Sequence, residues 1–248
     1  MTGADTPRRV LVTRPEPDAA QTAARLVTAG YAPVILPLFE TVALDVDRSA
    51  IPRDAVAVAA TSANAIRLAP REIVAALRHL DCFCVGAKTA DAARTNGFES
   101  IIEGSGDARR LATVIIESGM QGPLVYLCGR VRRPDLEDAF GAAGIANVPV
   151  EVYDTQAISR ADREVLSILD GSPIDMALVY SVMAGKALDK LSRAPIFRHL
   201  FEKTAFLCMS ERVATTLQSD EPKLIHISPE PTESAMLSLL GISGGTMS

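Results

Sequence analysis

The strongest constraint on this chain is an internal repetition of strand-plus-helix units. VLVTRPEPDAAQTAARLVTAG, starting at Val10, matches VYLCGRVRRPDLEDAFGAAG, starting at Val125: a strand, an Arg-bearing turn, Pro and Asp, a helix, a closing Gly. VAVAATSANAIRL matches MALVYSVMAGKAL, CFCVGAKTADAARTNGF matches FLCMSERVATTLQSD, and IIEGSGDARRLATVII matches LIHISPEPTESAMLSLL. Four unit types recur in the same order, the mark of a duplicated domain. Two homologous domains with about ten strands in total are expected.

The apolar runs set the fold class. Val10–Thr13, Val34–Leu38, Ala55–Ala60, Cys82–Val85, Ser100–Ile102, Leu124–Cys128, Val148–Val152, Met176–Tyr180, Ala205–Met209 and Leu224–Ile227 are short and mostly unbroken. Such runs belong to strands buried on both faces of a parallel sheet. Helical patterns, such as Asp18–Thr28 closed by Gly30, separate nearly all of them, which predicts an α/β fold.

In an open parallel sheet, ligands bind beyond the carboxyl ends of the strands. There the helix N-termini offer unpaired N–H groups and partial positive charge, which suit carboxylates and phosphates. Arg14, Thr61-Ser62, Lys88-Thr89, Gly129-Arg130, Ser181 and Ser210 fall at such ends. In two domains facing each other these ends would line one cleft. For any single Ser or Thr, helix capping is an equal explanation, and Arg132-Arg133 also fits a solvated pair at a helix start.

Absences narrow the ligand. The chain has no GxGxxG after a strand and no GxxxxGK[ST], and GSGD at 104–107 has its glycines in the wrong places, so neither a dinucleotide nor a nucleoside triphosphate is indicated. Net charge is -5, against nucleic acid as a partner. No apolar stretch reaches the roughly 18 residues of a membrane span, and MTGADTPRR lacks a signal-peptide core, so a cytoplasmic location is expected. Cys82, Cys84, Cys128 and Cys208 sit in apolar runs and read as reduced core thiols rather than zinc ligands. His79, His199 and His226 are scattered among apolar neighbours, and no Ser, His and Asp trio stands out. A small anion held by amides, hydroxyls and a few cations remains.

LVTRP at 11–15, ILPLFET at 35–41, ATSANA at 60–65, CVGAKTA at 84–90, VYLCGRVRRPDLEDAF at 125–140, VEVYDT at 150–155 and CMSERVA at 208–214 occur in one order over almost the whole chain. Together they resemble the uroporphyrinogen-III synthase family, whose few fixed residues make order and spacing the informative part. The resemblance implies two similar domains, each a parallel sheet flanked by helices, joined by a two-stranded antiparallel ladder. One domain would combine 1–37 with 157–248, the other would be 43–149, and 38–42 with 150–156 would form the ladder. The repetition by itself favours contiguous halves instead.

The family closes linear hydroxymethylbilane into a macrocycle. Loss of the terminal hydroxyl gives an azafulvene cation, attack at the substituted carbon of the fourth pyrrole gives a spiro intermediate, and reclosure leaves that ring inverted. The resemblance implies this small-molecule substrate, no cofactor and no metal, a monomer, and transient contact with the upstream hydroxymethylbilane synthase, without nucleic acid or membrane. Eight substrate carboxylates suit backbone donors at Thr61 to Ala63 and at Ser181 to Met183, Val182 among them, and the hydroxyls of Ser62, Ser181 and Ser210. Arg14 and Arg133 would supply charge, and Lys88, Thr89 and Gly129 lie at the same strand ends. Cys128 stands where many relatives carry Arg, and Met209-Ser210-Glu211 replaces a Gly-Pro-Thr wording.

By the same resemblance Tyr153, from the V-Y-x-T motif, donates a hydrogen bond or proton to the leaving hydroxyl. A half-buried structural tyrosine of the ladder is the even-handed alternative. Tyr126 and Tyr180 lie inside strands and are expected in the core. A second class stays open: a cytoplasmic two-lobed binding or sensor protein for an anionic small molecule, such as an inactive paralogue.

Overall fold

The computed structural model describes residues 6–104, 107–217 and 223–242. The first five residues, Ser105-Gly106 of the GSGD run and the 218–220 end of the third repeat lie outside the described residues. In chain order the elements are β1 (Arg9–Val12), α1 (Asp18–Thr28), β2 (Ala32–Ile35), β3 (Phe39–Ala43), β4 (Ala57–Ala60), α2 (Ala63–Arg67), α3 (Arg71–Leu77), β5 (Asp81–Val85), α4 (Gly86–Thr95), β6 (Ser100–Gly104), α5 (Ala108–Glu117), β7 (Leu124–Gly129) and α6 (Asp135–Ala143). There follow β8 (Asn147–Ala157), α7 (Asp162–Leu169), β9 (Met176–Val179), α8 (Val182–Arg193), α9 (Arg198–Phe201), β10 (Ala205–Cys208), α10 (Glu211–Ala214), β11 (Leu224–Ile227) and α11 (Glu233–Ile242).

The chain forms two compact units, Met1–Glu40 with Ala157–Ser248, and Thr41–Gln156. The first is built on a sheet of order β11-β10-β9-β1-β2, every pair parallel. The second has the order β3-β8-β7-β4-β5-β6, parallel from β8 to β6.

Laid out by the sequence repeats, the two orders coincide. β2-β1-β9-β10-β11 corresponds strand for strand to β8-β7-β4-β5-β6. The units are nevertheless not contiguous halves. The leading β-α-β piece of each half belongs to the other half's sheet, and the chain passes between units inside β3 and at the end of β8.

Alternation along each strand feeds two cores per unit. In the first unit Leu11, Ala177, Val179, Phe206 and Cys208 pack toward α7–α10, against Leu169, Leu188 and Phe201. Their neighbours Val10, Val12, Met176, Leu178 and Leu207 pack toward α1 and α11, against Leu26 and Met236. In the second unit Val58, Ala60, Cys82, Cys84, Val125 and Leu127 meet Ile66, Ile73 and Leu77, while Ala59, Phe83, Tyr126 and Cys128 meet Leu111, Ile115 and Phe140. Each fully buried Leu, Ile or Phe contributes about 1.5–3 kcal/mol, so these layers dominate the stability.

Helix ends follow local chemistry. Gly30 and Gly144 close the matched first repeats at φ 84° and 69°, a left-handed conformation that disfavours any Cβ, with open space around both. All four cysteines are buried and unpaired by disulfides. Among the described residues no helix is long and apolar enough to cross a membrane.

Candidate functional site

The carboxyl ends of β4, β7 and β8 in the second unit open into a cavity of about 480 Å3. β4 stops at Thr61-Ser62 because both hydroxyls are used there. The Thr61 hydroxyl shares a 3.0 Å hydrogen bond with that of Tyr126, and Ser62 Oγ accepts from the Asn64 N–H at 3.2 Å as the cap of α2. Tyr126 is 2% exposed, and burial pushes its hydroxyl pKa up, partly opposed by the bond to Thr61. It therefore stays neutral.

Beyond β7 the chain supplies cations. The Arg132 guanidinium donates to Glu137 at 3.1 and 3.2 Å, to Glu151 at 2.9 Å and to the Gly129 carbonyl at 3.2 Å. The bond to Glu137 leads in raising the Arg132 pKa, and the bond from Arg132 holds the Glu151 carboxyl below its ordinary value. Burial pushes the neighbouring Cys128 thiol up to about 12, so it is uncharged at neutral pH. Asp135, 16% exposed, is shared by Arg133 at 2.9 Å and Arg109 at 3.1 Å, both largely in solvent. Asp107 caps α5 by accepting from the Arg109 and Arg110 N–H groups, and those bonds, the Arg110 one foremost, lower its pKa.

Tyr153 reaches the same cavity from β8. The pocket thus combines hydroxyls at Thr61, Ser62, Tyr126 and Tyr153 with three guanidiniums, a surface suited to carboxylates beside a hydroxyl donor.

Of the residues singled out in the sequence, this cavity gathers Thr61, Ser62, Gly129, Arg133 and Tyr153. Ala63 opens α2 just behind it, 8% exposed, and Lys88 and Thr89 sit in the first turn of α4 away from its lining, Thr89 buried. Arg14, Ser181, Val182 and Ser210 belong to the first unit, at the ends of β1, β9 and β10. There Ser181 Oγ accepts from the Ala184 N–H at 3.1 Å as the cap of α8, whereas Ser210 makes no such side-chain bond.

One expectation needs correction. Arg132 is not a solvated residue: it is 21% exposed and clamped by two carboxylates. Tyr126 is core, as expected, and also borders the cavity. Arg14 is already occupied, paired with Asp18 at 2.5 Å and Glu233 at 3.1 Å and stacked 4.3 Å from the Tyr180 ring centre. Tyr180 donates to Glu233 at 3.2 Å, and burial pushes its pKa up to about 12. Arg109, Asp107 and Asp135 also line the cavity without standing out in the sequence, where Asp107 as a cap followed by Ala-Arg-Arg is their only signal. Among the described residues no group of three or more His, Cys, Asp or Glu is placed to hold a metal.

A duplicated parallel α/β fold whose strand ends present amides, hydroxyls and arginines defines a protein built for an anionic small molecule. The family model of uroporphyrinogen-III synthase HemD matches residues 20–238, and the chain belongs to that family. The uroporphyrinogen-III synthetase of Helicobacter pylori is similar in structure, with TM-score 0.65 and 18% identity over 95% of this chain and 99% of that one. A mutant uroporphyrinogen III synthase of Thermus thermophilus gives TM-score 0.55 and 18% identity over 95% and 97%. At such identity these likenesses concern the fold. No curated sequence compared with the chain matches it.

Proposed function

We infer that this chain cyclises hydroxymethylbilane to uroporphyrinogen III with loss of water, as a cyclising hydro-lyase of tetrapyrrole synthesis. The observation that carries this is the family match over residues 20–238. The cavity of the second unit supports it chemically. In the proposed reaction the C–O bond to the terminal hydroxyl breaks, the oxygen leaving as water with a donated proton. The resulting azafulvene carbon is attacked by the substituted carbon of the fourth pyrrole, and the spiro intermediate fragments and recloses with loss of a ring proton.

Tyr153 is the proposed donor to the departing hydroxyl. Thr61, Ser62 and the backbone at Ala63 bind acetate or propionate groups, with Arg133 adding charge, and Arg109 joins it through their shared Asp135. Gly129 lines this site. In the first unit Ser181, Val182 and Ser210 offer the equivalent hydroxyls and amides. Arg14, paired with Asp18 and Glu233, supplies charge at the end of β1. Lys88 and Thr89 stand at the start of α4 as a further contact for a long substrate.

Much of the reactivity belongs to the substrate, so holding the flexible chain in one shape is the protein's main contribution. We further propose that the chain works as a monomer in the cytoplasm, where its thiols stay reduced, and takes substrate in transient contact with the upstream synthase. The test is to supply hydroxymethylbilane and follow its loss. Consumption well above the spontaneous rate supports the proposal, and a spontaneous rate overturns it.

A further inference from the structure

In VEVYDT, strict strand alternation puts Val150 and Val152 on one face and sends Tyr153 to the other. The structure breaks that alternation. β7 and β8 pair in steady register from Leu124↔Asn147 to Cys128↔Glu151, but the next pair is Gly129↔Tyr153, so Val152 is an extra residue on β8. This is a β-bulge, a device that re-aims side chains beside functional sites. Val152 and Tyr153, adjacent in sequence, accordingly both pack against the core that holds Val150. The bulge is pinned on both sides: the Leu44 N–H donates to the Val152 carbonyl at 2.9 Å, and the Arg130 N–H donates to the Tyr153 carbonyl at 2.8 Å.

The re-aimed ring lies directly on Gly129. A Cβ at position 129 would stand 2.6 Å from Tyr153 Cζ, 2.7 Å from Cε2 and 2.9 Å from the hydroxyl oxygen, inside any real contact distance. Gly129 lies outside the left-handed region, so its backbone would accept alanine; the requirement is for space. The atoms met first are the hydroxyl-bearing edge of the ring. Any side chain here therefore moves the hydroxyl itself.

We propose that Gly129 is a positioning residue for Tyr153: its missing side chain, with the bulge at Val152, sets where the phenol oxygen stands in the cavity. The proposal rests on the assignment of Tyr153 as donor to the leaving hydroxyl, and it reassigns Gly129 from contacting substrate to holding the ring. A glycine that instead let substrate approach the backbone would affect binding.

Four proteins make the kinetic cycle: wild type, Gly129→Ala, Tyr153→Ala and the double variant. Gly129→Ala should lower kcat at least about tenfold with KM within about twofold, since a displacement near 1 Å costs up to about 100-fold. In the Tyr153→Ala background, where the ring is gone, the same change should alter kcat by less than about twofold. Equal losses in both backgrounds, or a raised KM with unchanged kcat, overturn the proposal. Tyrosine 13Cζ resonances give a readout independent of turnover. Gly129→Ala should shift the Tyr153 signal, assigned with Tyr153→Phe, and leave Tyr31 and Tyr180 in place. An unmoved Tyr153 signal also overturns it. If Tyr153→Phe keeps full kcat, the donor role of Tyr153 fails, and the resonance still decides whether Gly129 holds the ring.

Discussion

Tyr126 and Thr61 join hydroxyl to hydroxyl at 3.0 Å, linking the end of β4 to the neighbouring strand β7 beside the second unit's cavity. The pair fixes a phenol that is otherwise wholly buried. Tyr126→Phe keeps the ring packing and removes one bond, so stability falls by about 0.5–1.5 kcal/mol. Urea unfolding should show a lower midpoint with unchanged slope. A midpoint equal to wild type means the bond contributes nothing net.

Glu151, which holds the cavity's Arg132, gives the second unit a pH dependence. Hydrogen bonds from Arg132, then Arg130, hold its carboxyl below the ordinary 4.5. A depressed carboxylate adds stability that is fully present above its unfolded pKa and lost as pH falls through the folded one. The side chain is 38% exposed, so solvent screening keeps the effect under about 1 kcal/mol. Melting temperatures of wild type and Glu151→Gln should differ by a constant amount above pH 5.5 or so and converge in acid as Glu151 protonates. A difference that persists unchanged in acid contradicts this.

Gly185 lies inside α8 where a Cβ would collide with the Thr216 hydroxyl, itself donating to the Val213 carbonyl at 2.6 Å. Helix propensity favours Ala over Gly by about 1 kcal/mol. Packing opposes it, because the room is already filled by a bonded group. Gly185→Ala should destabilise by about 1–3 kcal/mol net, measured by denaturant unfolding. A stabilised variant would show that Thr216 yields freely.

The four thiols should be silent in the folded protein. All are buried, and burial pushes Cys128 and Cys208 each up to about 12. A chromogenic disulfide reagent at neutral pH should report almost no thiol in the native protein and four after denaturation. Rapid native reaction of even one thiol contradicts the burial.

Much of the fold was legible because parallel-sheet strands are buried on both faces and appear as unbroken apolar runs. Even the strand order follows the repeats, with β1, β9, β10 and β11 matched to β7, β4, β5 and β6. What the repeats hide is the exchange of the leading β-α-β pieces. Val10–Gly30 and Val125–Gly144 present the same pattern to either sheet, so no local signal tells which sheet receives which.

The site divides in the same way. Thr61, Ser62, Gly129 and Tyr153 could be picked out because each terminates or follows an apolar run. The pairing of Arg109 with Asp135 spans 26 positions and depends on which helices become neighbours. For Arg14, the partner Asp18 lies one helical turn away, but Glu233 lies 219 positions along the chain. The aim of Tyr153 was hidden by a single extra residue, Val152, which alternation does not announce.

The isomer composition of the product tests the central claim most directly. Hydroxymethylbilane should be generated in situ by the upstream synthase, the products oxidised, and type I and type III porphyrins separated by chromatography. A dominant type III product is expected from this protein, with no added metal or cofactor. Type I product alone, formed at the rate seen without protein, would contradict it and leave a protein that binds its ligand unchanged.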